Sequence, residues 1–291
     1  MKQILVISGK GGTGKTVITG SFAALAKNKV VVDCDVDAAD LYLLLHPEVK
    51  ERHEFISGQS AVIDKKLCKQ CGKCIPVCRF EAIKSDFSIE SFSCEGCALC
   101  SYICPHGAIR MEENVAGEWF ISDTKYGSFV HAKLGIAEEN SGKLVAKIKQ
   151  VAKELAEKQK SEFVIIDGPP GIGCPVIASL SEVDCALIVT EPTLSGLHDA
   201  KRVMEVAAHF NIPLKLIVNK YDLNLSMTKK IEEFCREHNI PVIGKVTFDK
   251  TVVKALIEEK TIIEYGQSMA GDEVRRIWED LSDEFSLGFR S

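Results

Sequence analysis

Uninterrupted apolar runs alternate with helically spaced segments along most of this chain. Ile4-Leu5-Val6-Ile7 and Val30-Val31-Val32 are short, largely β-branched runs, the pattern of strands covered on both faces. Val17 to Lys27, between them, has helical spacing. The same alternation returns later, with strands predicted at Phe163 to Asp167, Cys185 to Thr190, Leu214 to Val218 and Val242 to Val246. Helical segments are predicted at Ser141 to Gln159, Ser195 to Phe210 and Met227 to His238. Strands alternating with helices imply an α/β fold, a doubly wound and mostly parallel sheet. Ala39 to Leu45 reads as the start of a helix, and Glu118 to Val130 as a hairpin or an irregular connection. Asp272 to Phe285 is amphipathic with a mostly acidic polar side, so it is expected to pack on the core and not to bind an anionic membrane.

The rhythm breaks between about Gly58 and Asn114, where short alternating runs lie among cysteines. The chain therefore divides into a core, 1–57 and 116–291, and an insert, 58–115. A length of 291 residues suits one large α/β domain plus something small. The net charge of −5 gives no sign of a nucleic-acid groove. No basic leader with an apolar stretch precedes the first strand, and no apolar run reaches the ~20 residues of a membrane helix. A cytoplasmic protein without membrane or nucleic-acid partners is expected. Of twelve cysteines, eight fall between Cys68 and Cys104. In a reducing compartment such density argues for metal or cluster binding over disulfides.

Gly9-Lys10-Gly11-Gly12-Thr13-Gly14-Lys15-Thr16 fits G-x-x-x-x-G-K-[ST] between a strand and a helix. Glycines let backbone N–H groups curl around phosphate oxygens at a helix N-terminus. Lys15 would reach the β- and γ-phosphates, and the Thr16 hydroxyl would ligate Mg²⁺. Phe163 to Asp167 is an apolar strand ending in aspartate, followed by Gly168-Pro169-Pro170-Gly171. Beside a P-loop, Asp167 reads as a Mg²⁺ holder acting through water. Asp33 and Asp35 end the second strand, at the sheet edge where ligands collect. Read alone, they could equally be solvated loop carboxylates. Asp37 and Asp40 read as structural or capping residues.

Lys10, directly after the first glycine, makes the loop resemble the deviant P-loop of the MinD, ParA and nitrogenase iron protein superfamily. The resemblance implies an ATP-hydrolysing homodimer in which Lys10 crosses the interface to the partner's nucleotide. It also implies that Asp35 orients the attacking water, that Asp33 supports the Mg²⁺ shell, and that Asn219 contacts adenine. Asn219-Lys220-Tyr221-Asp222 also fits the N-K-x-D signature that selects guanine. The motif alone does not decide between the bases, and the superfamily resemblance favours ATP.

Cys68, Cys71, Cys74 and Cys78 give C-x₂-C-x₂-C-x₃-C, and Cys94, Cys97, Cys100 and Cys104 repeat it before Pro105. Ala82-Ile83 and Ala108-Ile109 follow their runs at equal offsets, so the duplication extends beyond the cysteines. The pattern is similar to bacterial two-cluster ferredoxins, in which the fourth cysteine of each run ligates the other cluster. That implies an inserted small α+β ferredoxin domain with two [4Fe–4S] clusters. One would be held by Cys68, Cys71, Cys74 and Cys104, the other by Cys94, Cys97, Cys100 and Cys78. Arg79 stands where proline usually follows the first run. Zinc sites and structural thiols are the alternatives, although zinc pairs are usually more widely separated.

Cys174 lies at the distance from Asp167 of a cluster ligand in the nitrogenase iron protein. Without an evident partner cysteine, it reads as a small buried residue. Lys143 reads as a surface residue opening a helix. Taken whole, the chain resembles MinD-superfamily ATPases containing an inserted ferredoxin. The expected mechanism is ATP-gated electron transfer to an unidentified redox or iron–sulfur partner protein. The alternatives are cluster assembly or delivery, as in the Mrp carriers, and a positioning ATPase with structural clusters.

Overall fold

The structure is a computed structural model that describes residues 1–135 and 141–287. The chain forms two compact units. The first comprises Met1–Arg52, Phe120–Ala132 and Ser141–Ser291, and the second His53–Trp119 with Lys133–Asn140.

The first unit is built on seven parallel strands. They are β1 (Lys2–Ser8), β2 (Lys29–Asp33), β5 (Gly127–Leu134), β6 (Phe163–Pro170), β7 (Cys185–Thr190), β8 (Leu214–Asn219) and β9 (Val242–Val246). Their order is β5-β2-β6-β1-β7-β8-β9, each neighbouring pair parallel. β3 (Glu48–Ile63) and β4 (Ile109–Thr124) extend the order beyond β5, and each has residues in both units. Central strands covered on both faces need apolar residues on both, which is why β1, β2, β6 and β7 are buried almost throughout.

One face is covered by α1 (Lys15–Leu25) and α10 (Met269–Leu287). Ala270, Val274, Ile277, Trp278 and Leu281 recur at helical spacing and join Ile18, Phe22, Ile165 and Leu187 in one buried cluster. The Trp278 ring lies 5.1 Å from Phe22 and 5.4 Å from Phe163. Gly244 of β9 lies under this helix: a Cβ there would stand 2.3 Å from Ile277.

Near the other end of the chain, α2 (Leu41–Leu45) packs Leu41 and Leu45 with Val31 and Phe129. α4 (Ser141–Gln159) buries Leu144, Val145, Ile148, Val151 and Ala152 and packs on α5 (Cys174–Leu180). The buried Lys149 ammonium donates to the carbonyls of Ser179 (2.6 Å) and Ser181 (2.5 Å), satisfying the open C-terminal end of α5. Burial lowers its pKa to about 8. α6 (Leu194–Ala208) and α7 (Leu225–Glu237) are capped by Thr193 and Asn224, whose side-chain oxygens accept backbone N–H groups. α8 (Lys250–Ile257) and α9 (Ile262–Tyr265) precede α10.

Glu118 to Val130, left open by the sequence, holds the end of β4, the turn at Lys125-Tyr126 and the start of β5. Thr124 Oγ1 closes that turn, accepting from Tyr126 N and donating to Gly127 O. The whole of β3 escapes the sequence pattern, because more than half of its residues are exposed, Val49 and Ile56 among them, and polar residues dominate its first half.

The second unit has little regular structure apart from its parts of β3 and β4. It contains α3 (Leu99–Ile103) and an isolated antiparallel bridge between Ile83 and Ile89. Its core is Ala61, Cys74, Ile83, Cys100 and Ile109, with Ile63, Ile75, Phe87 and Met111 packed against them.

Among the described residues, no helix is long and apolar enough to cross a membrane.

Candidate functional site

β1 delivers the chain into the glycine loop at its carboxyl end, and α1 begins at Lys15. Gly12 (φ 78°) and Gly14 (φ 91°) take left-handed conformations that side chains disfavour. A Cβ on Gly14 would also lie 2.2 Å from the Asn219 amide nitrogen, and one on Gly9 would strike the Asp199 backbone at 2.4 Å. The loop is braced from the end of β8. Asn219 Nδ2 donates to Thr13 O (2.7 Å), and Lys220 Nζ donates to Gly12 O (3.1 Å).

Parallel pairing of β2 with β6 sets Asp33 opposite Asp167 in register. Thr16 and Thr19 donate to the two Asp167 oxygens, at 3.0 and 2.7 Å. Lys15 Nζ stands 3.0 Å from Asp167 and 3.4 Å from Asp35. Burial alone would lower the Lys15 pKa, but the charges of Asp167, Asp33 and Asp35 outweigh it and hold it raised. Burial, reinforced by the Asp167 charge, pushes the Asp33 carboxyl well above the usual range, and burial also raises Asp35. Three carboxylates thus face one ammonium in a buried setting, and Asp33 Oδ2 has no hydrogen-bond partner. An uncompensated buried carboxylate is costly, so this donor set suits a hard divalent cation such as Mg²⁺.

The glycine loop and Asp35 border a cleft of about 480 Å³. Asn219 and Lys220 line it with Gly11 to Val17, and Val246, Phe248, Val252 and Leu256 form an apolar wall. Asp222, the last residue of the N-K-x-D motif, accepts from the Phe248 backbone N–H (2.7 Å). Its carboxylate therefore fixes the loop after β9. Asn219 and Lys220, for their part, bond the glycine loop.

Lys10 is held within its own chain. Its ammonium lies 2.7 Å from Glu191 and 2.9 Å from Ser195 Oγ, and Lys220 lies 3.4 Å from the other Glu191 oxygen. Burial would raise the Glu191 carboxyl, yet Lys10 and Lys220 hold it below the ordinary value. Sequence reasoning missed Glu191, Thr19 and the apolar wall. Glu191 directly follows β7 at the carboxyl edge of the sheet, where ligands of such folds collect, and that position was its one available signal.

The second unit gathers the eight cysteines of the duplicated pattern around two cavities. Cys68, Cys71, Cys74 and Cys104 line one. Cys78, Cys94, Cys97 and Cys100 line the other, so the fourth cysteine of each run stands with the opposite run. Cys74 and Cys100 are buried, whereas Cys71 and Cys97 are exposed. Backbone N–H groups point at two of the sulfurs: Ala108 N lies 3.3 Å from Cys104 Sγ, and Ala61 N lies 3.5 Å from Cys94 Sγ. Among the described residues, no three His, Cys, Asp or Glu side chains converge as the ligands of a single ion do. Thiols standing round a cavity, with N–H donors aimed at sulfur, suit a polynuclear group whose metals each take one thiolate.

Cys34, Cys185 and Cys235 are buried outside this unit. Burial pushes the Cys185 and Cys235 thiols up to about 11, which keeps them protonated and unreactive. Cys174 departs from the sequence expectation. It is exposed at the first position of α5, because the chain leaving Gly171 (φ 91°) turns this residue outward ahead of the buried Val176 and Leu180. Lys143 is exposed on α4.

A parallel sheet with a glycine loop at the carboxyl edge of central strand β1, an aspartate in the neighbouring β6 and another ending β2 beyond it, defines a P-loop nucleoside triphosphatase. The profile of the CobQ/CobB/MinD/ParA nucleotide binding domain matches residues 4–262, and the chain belongs to that family. It is similar to the uncharacterized protein MJ0578 of Methanocaldococcus jannaschii, at 36% identity over 287 residues, spanning 97% of this chain and 96% of that protein. It is also similar to the septum site-determining protein MinD of Bacillus subtilis, at 26% identity over 263 residues, spanning 87% and 79%. Among solved structures, the cell division ATPase MinD of Pyrococcus furiosus has the same fold, with a TM-score of 0.59, 19% identity and coverage of 97% and 98%. MinD of Pyrococcus horikoshii, solved with Mg-ADP, matches with a TM-score of 0.59 at 17% identity, covering 96% and 95%. The protein is a P-loop ATPase of the MinD/ParA kind.

Proposed function

We propose that the chain is an ATP-dependent iron–sulfur protein, working as a homodimer, in which nucleotide state governs electron transfer through two [4Fe–4S] clusters. The observation that carries this reading is the division of eight cysteines into two sets of four, each round its own cavity and each borrowing one cysteine from the other run. Cys68, Cys71, Cys74 and Cys104 would hold one cluster, and Cys94, Cys97, Cys100 and Cys78 the other. Once bound, the clusters would supply one-electron redox chemistry that no side chain of the chain itself provides.

At the nucleotide site, the backbone of Gly9 to Thr16 would receive the phosphates and Lys15 would neutralise their charge. Thr16, Asp33 and Asp167 would hold Mg²⁺, the cation their carboxylates and the unpartnered Asp33 oxygen require. Asp35 would orient the attacking water. Lys10, once released by Glu191, would reach the nucleotide of a second copy. The apolar wall at Val246 to Leu256 would take the base. With Asp222 bonded to the Phe248 backbone, the carboxylate that reads guanine in N-K-x-D proteins is otherwise engaged, which favours ATP. The apolar face of α10 is buried in the core, which supports a reading without membrane attachment.

The test is analytical. Protein purified without oxygen should carry about eight iron and eight sulfide per chain, as two [4Fe–4S] clusters require. On reduction it should give the EPR spectrum of two interacting clusters. Stoichiometric zinc with little iron would remove the iron–sulfur reading and leave the ATPase.

A further inference from the structure

The two thiol cavities differ in charge. The cavity of Cys68, Cys71, Cys74 and Cys104 has Lys69 and Lys73 among its lining residues and no carboxylate. The cavity of Cys78, Cys94, Cys97 and Cys100 has Glu95 and no cation. The surrounding sequence is likewise basic up to residue 84 and acidic after it, although Arg79 follows Cys78 of the second set and Asp86 precedes Phe87, which lines the first cavity. Residues 65–84 carry Lys65, Lys66, Lys69, Lys73, Arg79 and Lys84 against the single acid Glu81. Residues 85–108 carry Asp86, Glu90 and Glu95 and no lysine or arginine. All six cations are exposed. Lys84 is engaged by Glu90 at 2.9 Å, whereas Lys65, Lys66, Lys69, Lys73 and Arg79 stand in no ion pair among the described residues. Lys65 acts only weakly, helping Ser88 hold the Asp86 carboxyl low.

In a chain of net charge −5, such a grouping is not an average of composition. Unpaired exposed lysines repel one another and gain when an anionic surface approaches. Cys71, the most accessible thiol of its set, lies between Lys69 and Lys73. The other cavity has the exposed apolar residues Phe80 and Leu99 at its border beside Glu95, whose charge would repel an acidic partner.

We infer that the lysine-rich surface at the Cys68, Cys71, Cys74 and Cys104 cavity docks a small acidic electron-carrier protein, and that electrons are exchanged with that carrier there and not at the second cavity. The inference rests on the iron–sulfur reading above. In the exchange, one electron leaves the reduced carrier and is taken up at this four-cysteine site. The carrier is oxidised, no bond forms or breaks, and no proton moves.

The test uses the full chain with both clusters reconstituted anaerobically, mixed rapidly with a reduced acidic bacterial ferredoxin. An uncharged small reductant, photoreduced 5-deazariboflavin, serves as the control. Steering by charge is worth about 10- to 1,000-fold in association rate and falls with salt. Lys69→Glu with Lys73→Glu should therefore slow reduction by the ferredoxin at least about ten-fold at low salt. The difference should close near 1 M salt, where screening reaches about 3 Å. Iron content and the rate with deazariboflavin should not change. Lys65→Glu with Lys66→Glu, outside the cysteine run, should act in the same direction and stands in if the first variant loses iron. Glu95→Lys should not slow the reaction.

If both lysine variants keep their clusters and react with the ferredoxin at the unaltered rate, the docking surface is overturned while the iron–sulfur reading stands. If the unaltered chain takes up no clusters, both fall. If the lysine variants lose binding to a labelled DNA duplex but not the ferredoxin rate, the surface serves a nucleic acid and the proposal is overturned.

Discussion

Lys15 and Asp35 line the cleft while Lys10, from the same glycine loop, pairs with Glu191, so substitution should separate their roles. Lys15 sits among three carboxylates at the base of the glycine loop. Lys15→Ala should weaken nucleotide binding by more than about ten-fold, equivalent to about 1.4 kcal/mol. Asp35→Ala should leave binding nearly intact and slow hydrolysis about 10²- to 10⁴-fold, the usual contribution of a group that handles the attacking water. Lys10→Ala should also bind and fail to hydrolyse if, in the proposed dimer, its target is the partner's phosphates. Equal loss of binding in all three, measured by equilibrium titration beside phosphate release, would defeat the separation. Glu191 adds a further outcome. Lys10 cannot reach a second chain while it pairs with Glu191 at 2.7 Å. Both side chains are partly exposed, and such a pair is worth up to about 1 kcal/mol. Glu191→Gln should therefore favour the ATP-bound dimer by up to about five-fold. Sedimentation at matched ATP would detect this, and a weaker dimer would mean that Glu191 supports Lys10 instead of restraining it.

At the scale of elements, α10 joins the end of the chain to its beginning. Trp278 contacts Phe22 of α1 and Phe163 of β6. Trp278→Ala should cost about 3–5 kcal/mol and lower the melting temperature by about 10 °C, with an unchanged stoichiometry of nucleotide binding. A shift of a degree or two, read by calorimetry, would mean that α10 contributes little to the core. This helix was legible in the sequence because Val274, Ile277, Trp278 and Leu281 repeat at helical spacing. α4 and the strands from β6 to β9 were legible for the same kind of reason. β3 was not, since a strand running largely in solvent has no apolar alternation to display. α5 and α8 were missed because each is short and joins strands through turns with ambiguous sequence signals. The glycine loop is a contiguous motif and could be read directly. Its braces could not, because Asn219, Lys220 and Glu191 lie some two hundred residues away in sequence and their bonds exist only after folding. For the cysteines, the spacing shows two runs of four. The resemblance to two-cluster ferredoxins, not the spacing, implies which fourth cysteine goes with which run, and the cavities are lined by the same groupings.

At the scale of the whole molecule, the proposed coupling of nucleotide and redox states has a thermodynamic signature. If ATP binding favours one arrangement of the chain, and that arrangement favours one redox state, reduction must change ATP affinity by the reciprocal factor. Typical couplings are about 1–3 kcal/mol. Spread over two electrons, that is about 20–60 mV in the mean potential. Redox titration without nucleotide, with ADP and with a non-hydrolysable ATP analogue would measure it, beside nucleotide affinities of oxidised and reduced protein. Potentials and affinities that both stay fixed would reject coupling within the chain and assign any gating to a docked partner. Arg52 and Phe120, which flank the long excursion of the chain into the second unit, lie together with the guanidinium 6.0 Å from the ring. Every residue lining the nucleotide cleft falls outside 53–119. A segment that leaves and rejoins its host at neighbouring points can be gained, lost or exchanged by a single recombination event without rebuilding the host. If the cysteine-rich segment is such a cassette, one ancestral ATPase could have been fitted in different lineages with different cargo at this one position. A chain closed from Arg52 to Phe120 by a short glycine link would test that modularity through nucleotide binding alone.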